Sequence, residues 1–67
     1  MKFKKKDICY VVAVRDDPNG RVRYLTLASS SSNFLELGLS LSKRDFGNTK
    51  QKDWLGKGFK VFIEEVK

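Results

Sequence analysis

The segment Asp16-Asp17-Pro18-Asn19-Gly20 constrains this chain more than any other. Proline pre-sets a φ of about −65°, which suits the second position of a type I turn. Asn19 suits the third position. Gly20 tolerates the left-handed conformation that closes a three-residue hairpin loop with a bulge. The flanking runs, Ile8 to Arg15 and Arg21 to Ala28, are rich in β-branched and aromatic residues. The pattern predicts a β-hairpin with strands over 8–15 and 21–28.

A three-residue loop places Asp17 opposite Arg21 and Arg15 opposite Arg23, and that register sorts the faces. One face carries Ile8, Tyr10, Val12, Val14, Val22, Tyr24, Thr26 and Ala28. It is nearly all apolar and is expected to face the core. The other carries Cys9, Val11, Ala13, Leu25 and Leu27 at its base, and Arg15, Arg21 and Arg23 at the turn end. Two arginines directly opposite each other are unfavourable unless they are solvated or bound to an anion.

Downstream, Phe34 to Leu41 alternates leucines with Glu36, Gly38 and Ser40, the period of a half-buried strand in which Gly38 marks a bulge or a close approach. Ser42 with Asp45 three residues on forms a shortened capping box. Residues 42–55 therefore read as one or two short helical turns, interrupted at Gly47-Asn48 and stopped by Gly56-Lys57-Gly58. Phe59 to Val66 reads as the last strand, with Phe59, Val61 and Ile63 on one side and Lys60, Phe62 and Glu64 on the other. Residues 1–6 read as a basic arm, and 29–33 as a serine-rich loop. The expected fold is α+β: a small antiparallel sheet in the order β-β-β-(short α)-β, closing into a small barrel if a further strand forms.

The 67 residues make one domain. A chain this short buries only about 60% of its unfolded surface, so its core is marginal. Cys9 is the sole cysteine and there is no histidine, so neither a disulfide nor a zinc site can staple the fold within the chain. Stability then comes from tight β packing, from a homodimer or from another partner. Cysteine usage favours a reducing, cytoplasmic setting. Met1 to Lys6 has the charge of a signal-peptide start, but the apolar run after it, Ile8 to Val14, leads straight into charge without a small-residue cleavage site. No stretch approaches the roughly 20 apolar residues of a membrane span.

An enzyme is not expected. Histidine is the commonest general base and metal ligand, and it is absent. Cys9 lies within a strand with no histidine partner, the setting of an inert thiol. Asp16-Asp17 starts a turn, and Glu64-Glu65 point to opposite faces of a strand, so neither pair suits shared acid/base work or metal binding. Gly56-Lys57-Gly58 is too short for a phosphate-binding loop. No catalytic residue, metal or cofactor is assigned.

Charge points instead to binding. Fourteen Lys/Arg against eight Asp/Glu give a formal net charge of +6. Such an excess attracts nucleic acid or acidic protein surfaces over long range. Phosphate contacts need Lys/Arg, and single strands also need aromatic platforms. The candidates are Arg15, Arg21 and Arg23 at the hairpin tip, Lys4, Lys5 and Lys6 on the arm, and Lys43, Arg44, Lys50, Lys52, Trp54 and Lys57 along 43–57. The principal expectation is non-catalytic binding of DNA or RNA through the tip and the 43–57 segment. The alternative is a small regulatory or inhibitory protein that docks on a larger partner through Val11, Leu25 and Leu27 or a sheet edge.

Overall fold

The computed structural model describes residues 2–29 and 35–66. Four strands, β1 (Lys4–Asp16), β2 (Val22–Ser29), β3 (Glu36–Ser42) and β4 (Gly58–Glu64), form one antiparallel sheet in the order β3-β2-β1-β4. Two single-turn helices, α1 (Lys43–Phe46) and α2 (Gln51–Trp54), lie between β3 and β4. The sheet curls into a half-barrel, and the fold is mostly β rather than evenly α+β. The Cα trace spans 43 × 26 × 16 Å. Stacked layers sit about 10 Å apart, so this thickness covers one face of the sheet and leaves the other to solvent.

The turn forms as its residues require, with one residue more in the loop than expected. The Gly20 N–H donates to the Asp17 carbonyl at 2.9 Å, and Gly20 has φ +69°. The Asp17 carboxylate accepts the N–H groups of Arg21 at 2.7 Å and Val22 at 3.1 Å. Asp17 N–H in turn donates to the Val22 carbonyl at 3.0 Å, so Asp17 faces Val22 rather than Arg21. Farther down, the register shifts between Val11 and Ala13, making Val12 the extra residue of a β-bulge. The longer loop pairs Arg15 with Tyr24 and Asp16 with Arg23, and the bulge returns Val11 to Leu27. Two arginines are not set opposite each other.

The two displacements cancel below Val12, where Val11 pairs with Leu27 and Cys9 with Ser29 as expected, so what differs from the expected core is which face is covered. Cys9, Val11, Leu25 and Leu27 are 0–3% exposed and form the buried cluster. Val14, Leu35, Leu37, Leu41, Trp54, Phe59 and Val61 pack against it. Val11, Leu25 and Leu27 are therefore core, and the exposed patch expected of them does not exist. The face expected to be buried is instead open: Ile8, Tyr10, Val12 and Tyr24 are all exposed.

The basic arm is also strand. Lys4, Lys5 and Lys6 pair with Glu64, Ile63 and Phe62 of β4, and the Lys4 ammonium lies 3.6 Å from the Glu64 carboxylate. Backbone pairing extends to Phe3, whose carbonyl accepts the Glu65 N–H at 2.8 Å. β3 pairs regularly with β2, and Gly38 sits opposite Thr26 with no bulge and no crowding. Of the serine-rich loop, Ser29 ends β2 and residues 30–34 lie outside the described residues.

The 42–55 segment forms two turns as its caps imply. The Ser42 N–H donates to the Asp45 carboxylate at 3.1 Å, and the Lys50 N–H to the Asp53 carboxylate at 2.7 Å. Gly47 (φ +57°) ends the first turn. This crossover packs on the inner face through Phe46 and Trp54.

Candidate functional site

The three tip arginines separate. Arg23 points inward and is 4% exposed. Its Nε donates to Asp16 Oδ1 at 2.6 Å and its NH2 to Oδ2 at 3.1 Å, a two-pronged pair. Its NH1 donates to the Thr49 carbonyl at 3.2 Å, and the guanidinium stacks 4.3 Å from the Phe46 ring centroid. Arg23 thus clamps the hairpin to the crossover and is not free to meet a ligand. The Arg23 hydrogen bonds hold the Asp16 carboxyl below the usual carboxylate range, and Asp16 in return raises the Arg23 pKa. Backbone N–H donors, that of Val22 foremost, lower the Asp17 carboxyl likewise.

Arg15 points outward, its guanidinium carbon 4.9 Å from the Tyr24 ring centroid. Arg21 is exposed in the turn. Lys4 and Lys6 share the outer face with Arg15, whereas Lys5 lies on the inner side opposite Ile63. Lys43, Arg44, Lys50, Lys52 and Lys57 are exposed on the crossover. The sheet stands between them and the outer face, so the expected residues do not make one surface.

Trp54 behaves as a lid. Its indole packs on the core cluster, its Nε1–H donates to Thr49 Oγ1 at 2.7 Å, and the Lys57 ammonium sits 5.5 Å from its ring.

The outer face contains the cluster that sequence reasoning missed. Phe62 (59% exposed), Ile8 (48%), Tyr10 (42%), Val12 (57%) and Tyr24 (36%) run across β4, β1 and β2. Pairing fixes their layout: Phe62 faces Lys6, Ile8 faces Lys60, Tyr10 sits between Gly58 and Ala28, and Tyr24 faces Arg15. The Tyr10 ring lies down over Gly58, where an added β-carbon would stand 2.9 Å from Tyr10 Cε1. Glycine is thus needed at 58 for that ring position. Among the described residues no carboxylate is in ion-pair range of Lys6, Arg15, Arg21 or Lys60, while Glu64 on this face is engaged by Lys4.

Apolar and aromatic area left in water is unfavourable on a chain with so little core. A row of it bordered by cations is the kind of patch that marks contact sites on small domains. Lys60, facing Ile8 on β4, was the readable clue, since the alternation of β4 already places Lys60 and Phe62 together. Among the described residues, no three His, Cys, Asp or Glu side chains gather as a metal site, and no helix is long and apolar enough to cross a membrane. Compared with protein-family models, curated proteins and solved structures, the chain matches none.

Proposed function

We propose that this protein binds nucleic acid without catalysing a reaction. The observation that carries the proposal is the exposed row of aromatic and aliphatic side chains on the outer sheet face, bordered by Lys6, Lys60 and Arg15. Phosphates supply the counter-charge that these cations lack, and bases supply apolar faces for the rings. Arg21 extends the cationic surface to the hairpin tip. Lys43, Arg44, Lys50, Lys52 and Lys57 lie on the far side and contribute long-range attraction rather than the same contact.

The test is binding to labelled oligonucleotides across a salt series, read by anisotropy. With four cations neutralising phosphates on a single strand, affinity falls with salt with a log-log slope of about −3. The variant Lys6→Ala/Arg15→Ala/Lys60→Ala flattens that slope. Absence of binding even at low salt excludes this function. The aliphatic members of the row, Ile8 and Val12, favour a second reading, a protein partner docked on the same face. That contact would barely respond to salt.

A further inference from the structure

Taking nucleic-acid binding as the function, we infer that the outer face is a stacking platform for an extended single strand, with Phe62, Tyr10 and Tyr24 each receiving a base. The three rings sit on three neighbouring strands, β4, β1 and β2. Phe62 is level with Lys6, four residues along β1 from Tyr10, and Tyr10 is level with Ala28, four residues along β2 from Tyr24. At about 3.3 Å per residue and 4.8 Å between strands, successive rings stand about 14 Å apart on one diagonal. The row therefore spans about 28 Å, a length that requires the bases to be splayed rather than paired.

Two local features prepare the rings. Gly58 and Ala28, the small neighbours of Tyr10, leave its ring low and uncrowded. Arg15 packs on Tyr24, adding a planar cation beside the ring, suited to both a base and its phosphate. Ile8 and Val12 fill the intervals with apolar contact, and Lys6 and Lys60 flank the path at the Phe62 end. A duplex hides its base faces and presents phosphates and base edges, so it can engage the cations but offers the rings nothing to stack on.

The experiment compares oligo(dT), oligo(U) and a duplex, each of about ten nucleotides, a length within the usual range of single-strand sites. Anisotropy is read with the wild-type chain and with Tyr24→Ala/Phe62→Ala. Tyr10 is left in place because its ring covers Gly58, and the thermal melt confirms that the double variant is folded. The expected result is single-strand binding at least about tenfold tighter than duplex binding, a loss of roughly 30-fold or more on single strands in the variant, and unchanged duplex binding. The variant Tyr24→Phe/Phe62→Tyr keeps the rings and keeps the affinity. Comparison of the dT and U arms tells DNA from RNA. Wild-type single-strand affinity in the double variant overturns the platform and leaves the nucleic-acid function standing. Failure of the wild-type chain to bind any of the three overturns both.

Discussion

The two faces of this sheet are built from similar residue types and have opposite fates. The inner face buries Cys9, Val11, Leu25 and Leu27 beneath the crossover, and Arg23, the one buried cation among the described residues, has a counter-ion, two Thr49 acceptors and an aromatic ring. The outer face leaves Phe62, Ile8, Tyr10, Val12 and Tyr24 in solvent, and Lys6, Lys60 and Arg15 there have no carboxylate in range among the described residues. Hydrophobicity therefore does not decide which face is core. The 43–57 crossover decides it, because it covers one side only and brings Phe46 and Trp54 to that side.

The strongest way to break this comparison is to treat the faces alike. Leu25→Ala on the inner side should cost about 3 kcal/mol in a urea melt, enough to unfold much of so small a domain. Val12→Ala on the outer side should stay within about 0.5 kcal/mol. Equal costs would mean that both faces are covered in solution, as in a dimer. Next in size is Arg23→Ala, which strands Asp16 and uncovers Phe46. It should cost about 2 kcal/mol, while Arg21→Ala in the turn should be near neutral. Arg23→Lys should not restore the loss, since an ammonium cannot make the two-pronged contact with Asp16.

The acid response sharpens the same contrast. Asp16 and Asp17 titrate lower in the folded chain than in the unfolded one. Their contribution is therefore present above the unfolded carboxylate pKa of about 3.9 and is lost as pH falls through the folded values. The melting temperature should drop from about pH 5 downwards, and Asp16→Asn should flatten the fall. The smallest effect belongs to Gly58→Ala. The backbone there tolerates a side chain, but the new methyl lifts the Tyr10 ring. Stability should barely change, whereas single-strand affinity should weaken.

Much of the fold was legible before the structure. Asp17-Pro18-Asn19-Gly20 announced the hairpin, the leucine alternation announced β3, and the Ser42/Asp45 pair announced α1. Which face is covered was not legible, because the 43–57 crossover decides it, and the register near the turn was not legible for two further physical reasons. The bulge at Val12 lies in a Val-Val-Ala run with no glycine to mark it. The fourth loop residue depends on Asp17 capturing the Arg21 and Val22 N–H groups, a side-chain contact that loop statistics do not contain. The extra loop residue alone exchanges Arg15 for Asp16 opposite Arg23, so an expected repulsion becomes an ion pair, and the bulge restores the expected pairs from Val11 onward. Most of the candidate cations are exposed. The expected grouping of the tip arginines rested on that register and does not form, and Tyr10 and Tyr24 were expected on the core face, whereas β4 alternation already set Phe62 beside Lys60.

One measurement separates the two faces directly: amide and indole NMR shifts of the labelled chain titrated with a single-stranded oligonucleotide. The account predicts shifts concentrated at Ile8, Tyr10, Val12, Tyr24, Lys60 and Phe62, with the Trp54 indole N–H, held by Thr49 on the inner side, unmoved. Shifts centred on Trp54 and the 43–57 segment with a silent outer face, or no shifts at all, would contradict it.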